Sequence, residues 1–221
     1  MAHAIPSIAC LGVIGRHNNP LHITIFPSYN PSGGTTANTQ PAPLRTPLQF
    51  SLLLSSTLDV FARRAQHAAS TGTLLSGEFG MLHAVDERLA AYGFETNTGV
   101  KFVAVVDMRG RLPGSSAGGS RTAGGGGGGA SAGSGGTGAS NMTAAAAAAA
   151  GSGVGLREGE LKVVFRAMQT AYVRLLQNPF YDPDEHSPLA SGRGGKRITS
   201  RKFSEEMRRI GEMWAPGVTA L

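Results

Sequence analysis

Val100-Lys101-Phe102-Val103-Ala104-Val105-Val106 is apolar at every position after Lys101. A strand with one wet face alternates apolar and polar residues, so an unbroken run implies burial on both faces. Residues 7–15, Ser-Ile-Ala-Cys-Leu-Gly-Val-Ile-Gly, read the same way, bounded by Pro6 and by the turn-rich Arg16-His17-Asn18-Asn19-Pro20. Two such strands belong at the centre of a sheet covered by helices on both sides.

The flanking segments fill in an α/β (α+β) order. Leu21 to Phe26 alternates partially and makes a hairpin with the first run, and residues 28–47 are a polar, Pro-rich loop. Thr46-Pro47-Leu48-Gln49 combines a capping residue, a first-turn proline and a Gln that completes a capping box. A helix is therefore predicted from Pro47 to Ala69, with a sheet-facing stripe of Leu54, Leu58, Phe61, Ala62 and Ala65. Phe79 to Val85 and Leu89 to Glu95 precede the opening run, and the short connections between the three favour antiparallel pairing. Leu161, Val164, Phe165, Met168, Tyr172, Leu175 and Leu176 form the strongest helical periodicity, which ends before Asn178-Pro179. A last helix starts near Ser200 and turns Phe203, Met207, Ile210 and Trp214 inward until Pro216.

Residues 110–155 are Gly, Ala, Ser and Thr almost throughout, with six consecutive glycines and seven consecutive alanines. Such a segment buries too little apolar surface to offset its ordering entropy and is expected to be a disordered insert. Setting it aside, with loops at 28–47 and 183–197, leaves one ordinary domain over residues 1–221. A single cysteine excludes an intramolecular disulfide, no basic-then-apolar leader opens the chain, and no apolar run approaches a membrane span. The cytosol is the expected compartment.

The chemistry-bearing residues form no catalytic constellation. The six histidines lack H-x-H or H-x-x-x-H spacing, so no metal site is expected, and Cys10 inside an apolar strand reads as a small buried hydrophobe. Gly114-Ser115-Ser116-Ala117-Gly118 matches the nucleophile-elbow pattern, but glycine follows it where a helix is needed. No catalytic residue, cofactor or metal ligand is assigned, and the chain reads as a non-enzyme.

Three surfaces remain. Asp59 follows Leu58 at the margin of the buried helix face, as a solvated carboxylate or as a partner-facing charge. Asn178-Pro179-Phe180-Tyr181 sets two aromatics in a Pro-bracketed turn, as a cap on the core or as a partner contact. Arg193, Lys196, Arg197, Arg201, Lys202, Arg208 and Arg209, against Glu205 and Glu206, give residues 193–209 a net +5 of the chain's +6. Read alone, that segment suits either a solvated face or an electrostatic docking surface, including a nucleic-acid or anionic-membrane binding module.

Taken in order, Ile8-Ala9-Cys10-Leu11-Gly12-Val13-Ile14, Asn19-Pro20-Leu21, Ser56-Thr57-Leu58-Asp59-Val60 and Tyr92-Gly93-Phe94-Glu95-Thr96-Asn97-Thr98-Gly99-Val100-Lys101-Phe102-Val103 resemble the sedlin family of TRAPP subunits. Asn178-Pro179-Phe180-Tyr181 and Ile198-Thr199-Ser200-Arg201-Lys202-Phe203 extend the likeness, which spans 7–26, 47–107 and 158–214. The resemblance implies a longin/SNARE-like fold, a five-stranded antiparallel sheet with one helix on one face and two on the other. It also implies a non-catalytic adaptor of a vesicle-tethering complex, cytoplasmic and peripheral at Golgi and ER-Golgi membranes. Its implied partners are other small TRAPP subunits and a large TRAPP II-type subunit, and indirectly a Rab-family GTPase and Golgi membranes, with no direct nucleic-acid partner. The family's acidic first-helix position falls on Asp59, whereas Ala62 and Arg63 stand where relatives carry acids.

Overall fold

The computed structural model describes residues 4–29, 42–72, 80–111, 156, 158–187 and 195–221. Five strands, β1 (Ile5–Ile14), β2 (Pro20–Ile25), β3 (Gly80–Ala84), β4 (Leu89–Glu95) and β5 (Lys101–Arg111), form one sheet in the order β2-β1-β5-β4-β3. Every neighbouring pair is antiparallel. The two continuously apolar runs are indeed central, registered through Gly12 opposite Val103 and Val13 opposite Phe102.

Their period of two sends alternate side chains to separate cores. Leu11, Val13, Phe102, Ala104 and Val106 pack beneath α2 (Glu158–Leu176) and α3 (Arg201–Met213). Cys10, Ile14, Val103 and Val105 pack beneath α1 (Pro47–Thr71). One helix on one face and two on the other is the arrangement that double-sided burial demanded.

The first helix starts as its sequence signals: Thr46 accepts from the Gln49 N–H, and the Gln49 side chain accepts from the Thr46 N–H at 3.0 Å. Its sheet-facing row is Phe50, Leu54, Thr57, Phe61 and Ala68, which corrects the expected stripe. Ala62 is exposed and Leu58 and Ala65 only half-buried. Hydropathy alone passed over Thr57, whose hydroxyl is satisfied inside the helix by donating to the Leu54 carbonyl at 2.7 Å and so tolerates complete burial.

Close approach at two glycines sets how the helices seat. A Cβ on Gly93 in β4 would lie 2.5 Å from the Phe61 ring of α1, and one on Gly211 in α3 would lie 2.1 Å from the Phe26 ring. At the far end of α3 the fully buried Trp214 donates its indole N–H to the Glu160 carbonyl at 3.2 Å, tying the end of α3 to the start of α2.

The remaining differences are at boundaries. β1 begins at Ile5 and β5 continues through Gly110 to Arg111, so the first two residues of the expected insert are strand. Within the expected 183–197 loop, Pro183–His186 forms a 3-10 turn capped by Asp182. Residues 112–155, including Ser116, lie outside the described residues, as do 30–41 and 188–194.

Candidate docking surfaces

The sheet separates the three candidate surfaces. Asp59 is on α1, whereas the 178–181 turn and the basic segment belong to the α2/α3 side. These last two meet in a groove of ≈ 460 Å³ lined by Asn178, Phe180, Tyr181, Lys196 and Arg197.

The turn splits its two aromatics. Tyr181 packs on the α2/α3 core and lies against the His186 ring with centroids 5.2 Å apart. Burial, then the neighbouring Tyr172, pushes its phenol well above the usual range, so it is a neutral packing group. Phe180 is 94% exposed, held outward because its N–H is bound by the Asn178 side-chain oxygen at 3.2 Å. Asn178 shapes the turn; Phe180 is what it presents.

The basic segment carries less free charge than its composition suggests. Lys196 pairs with Glu185 at 3.2 Å, Arg201 with Glu205 at 2.9 Å and Arg208 with Glu212 at 3.9 Å. Arg197, Lys202 and Arg209 make no ion pair among the described residues, and Arg193 lies outside them. Glu185 and Glu212 lie outside the 193–209 window, so a count over that window alone could not see these partners. His22, under this segment, contacts Thr24 at 2.8 Å and the Phe203 ring edge-on; burial, then Arg197, lowers its pKa.

Asp59 is not at the margin of α1's buried face. At about 100° per residue it points roughly opposite the row of Phe50, Leu54 and Phe61, and it is exposed. Leu58, the neighbour that suggests a margin position, is half-buried on the flank of that core, and Asp59 lies about 100° further round the helix. Two leucines that the sequence reading assigned no role, Leu48 and Leu52, are 69% and 62% exposed on the same outward crest. The signal was their i, i+4 spacing outside the apolar stripe.

A second omission is structural. Arg88, read as part of a connection, donates from Nε and Nη2 to the two carboxylate oxygens of Asp107 at 3.0 and 2.6 Å and also to the Tyr29 carbonyl at 2.7 Å. The hydrogen bonds to Asp107 raise the Arg88 pKa despite its partial burial. A fully buried aspartate at the end of an apolar run was the available signal. Cys10 is buried among apolar neighbours, which pushes its thiol pKa far up and leaves it no thiolate character.

Among the described residues no group of His, Cys, Asp and Glu could hold a metal ion, and no helix is long and apolar enough to cross a membrane. What the arrangement offers is surface: an apolar-and-acidic helix crest on one side and an aromatic turn beside cations on the other.

The Sedlin family profile matches residues 13–213, from the last two residues of β1 to the end of α3. Among curated proteins, the trafficking protein particle complex subunit 2-like protein of Bos taurus is 24% identical over 198 residues, 88% of this chain and 89% of that one. That of Rattus norvegicus gives the same figures, and that of Xenopus tropicalis is 23% identical over 193 residues, 86% of this chain and 94% of its own.

Proposed function

This chain belongs to the sedlin family, and from that membership we propose that it is a non-catalytic adaptor subunit of a TRAPP vesicle-tethering complex in ER-Golgi and Golgi trafficking. In that role it supports assembly of the complex that exchanges nucleotide on a Rab-family GTPase. The exchange chemistry belongs to the assembly.

The observation that carries the reading is similarity over most of the length: the match spans most of this chain and most of each relative, and each relative bears the name trafficking protein particle complex subunit 2-like protein. The surfaces suit such a role. Both faces of the sheet are already occupied by the chain's own helices, which leaves helix exteriors, turns and the sheet edges at β2 and β3 for partners. Of those, the α1 crest bearing Asp59 and the turn presenting Phe180 are the candidates, facing away from each other and able to bridge two neighbours. The localisation proposed is cytoplasmic, peripheral at Golgi membranes through the assembly.

Asp59→Tyr tests the surface side of this reading. The exposed position predicts an unchanged melting temperature and reduced recovery of co-purifying TRAPP subunits. A fall in melting temperature that parallels the loss of partners would assign Asp59 to folding instead.

A further inference from the structure

We propose that the seam between the end of α2 and the start of α3 is a binding groove for an extended segment of another protein, one that sets an apolar side chain against Phe180 and carboxylates against Arg197 and Lys202. The inference goes beyond the subunit reading and does not rest on it, because charge and shape in this chain alone carry it.

The groove is two adjoining hollows. One, of ≈ 460 Å³, is lined by Phe180 and Arg197, and the next, of ≈ 390 Å³, by Lys202; Leu175, Asn178 and Ser200 line both. Arg174 and Glu206, paired at 2.9 Å, stand between the second hollow and a third that Thr219, Ala220 and Leu221 line in part. Leu221 packs on the α2/α3 core there, so a stretch without regular structure already lies along this seam. At the other end Phe180 is the most exposed large apolar side chain of the described residues. Covering it gains about 25 cal/mol per Å² of apolar surface removed from water.

The acids that line the first two hollows are already engaged. Glu185 pairs with Lys196 at 3.2 Å, Glu206 with Arg174, and Asp182 accepts the Asp184 N–H at 2.9 Å. Two of the cations are not engaged. Arg197 and Lys202 are exposed and make no ion pair among the described residues, and the first turn of α3 holds no acid to answer Lys202. A carboxylate ligand therefore finds an unanswered cation at each hollow, with an apolar anchor beside them.

Other occupants fit less well. Residues 1–3, 30–41, 112–155, 157 and 188–194 of the chain itself contain no Asp or Glu. Glu78, the acid of residues 73–79, adjoins β3, at the opposite edge of the sheet from β2, whose Leu21 carbonyl accepts from Ile198 beside Arg197. A second copy offers no extended acidic segment, since its described acids sit on strands, helices and tight turns. An anionic bilayer laid on Phe180 would meet Asp182, Asp184 and Glu185, all exposed directly after the turn.

The test is photo-cross-linking from Phe180→p-benzoylphenylalanine in the full-length chain in its own cells, with the captured peptide sequenced and then synthesised. The expected peptide comes from a different protein and carries Asp or Glu within a few residues of an apolar side chain. The synthetic peptide should bind the purified chain, and Arg197→Glu/Lys202→Glu should weaken that binding about tenfold or more at unchanged melting temperature. A peptide with Lys in place of its acids should bind the double variant and not the wild type. A captured peptide without acids, equal affinity for wild type and double variant, or no capture at all overturns the groove. A cross-link to this chain's own sequence overturns the choice of a different protein. Flotation of the wild type, but not of Phe180→Asp, with phosphatidylcholine–phosphatidylserine vesicles would assign the turn to lipid and overturn the proposal as well. Co-purifying TRAPP subunits are scored separately, and their absence from the wild type overturns the subunit reading while leaving the groove standing.

Discussion

Removing the Arg88 side chain leaves the carboxylate of Asp107 with no exposure, its salt-bridge partner lost. Arg109 still donates its backbone N–H to it at 2.9 Å, but one neutral donor does not replace a two-point guanidinium. Arg88→Met should therefore destabilise the fold by about 3–5 kcal/mol, the usual cost of stranding one half of a buried ion pair. Chemical denaturation measures it, and a loss below 1 kcal/mol would show the pair to be dispensable. His22 gives a pH signature. Its folded pKa lies below the reference value of 6.5, so the unfolded chain binds the proton more readily. Stability from this site is full above that value and falls as the pH drops through the lowered folded pKa. Between pH 7 and 5, His22→Gln should lose less melting temperature than the wild type. Equal losses would remove His22 from the acid response.

At the scale of elements, the glycines of the helices make opposite predictions. Replacing glycine by alanine inside a helix gains up to about 1 kcal/mol of propensity. At Gly159 a Cβ meets nothing within 4 Å, so Gly159→Ala should be neutral or stabilising. At Gly211 the Phe26 ring is in the way, and overpacking costs about 1–3 kcal/mol, so Gly211→Ala should be a net loss. Thermal melts of the pair settle the sign. The same contrast marks what the sequence could disclose. The double-sided strands, the capping box at Thr46 and the α2 periodicity were legible because each is a local pattern with one physical cause. The α1 stripe was misread because Thr57 is buried by an internal hydrogen bond that hydropathy does not weigh. The candidate surfaces were legible as segments and not as surfaces. The charge on residues 193–209 is answered in part by Glu185 and Glu212, which only the fold and helix spacing set opposite Lys196 and Arg208. Likewise Phe180 and Tyr181, adjacent in sequence, take opposite roles once Asn178 fixes the turn.

For the whole molecule, the end of β5 and the start of α2, which the long Gly/Ala segment joins in sequence, lie at neighbouring points of the fold. Arg111, the last residue of β5, donates to the Glu212 carbonyl at 3.0 Å, and Trp214 at that same end of α3 donates to the Glu160 carbonyl. The described residues on either side, Arg111 and the start of α2, are thus both held at the end of α3, and deleting residues 114–153 leaves residues 112–113 and 154–157 to join them. Six residues reach about 20 Å when extended, so the shortened chain should keep the wild-type melting temperature and the same partners. Lost solubility or a lower melting temperature would give the segment a structural part.

The adaptor role proposed for this sedlin-family chain sets other subunits against the exteriors of its two helical faces. Its most direct test is affinity purification of the full-length chain from its own cells at physiological salt, with every co-eluting protein identified and quantified. The expected result is other TRAPP subunits in near-constant ratio to the chain, retained when nucleic acid is digested and when salt is raised moderately. Purification of the chain alone, or with nucleic-acid-dependent partners that wash off steeply with salt, would contradict it.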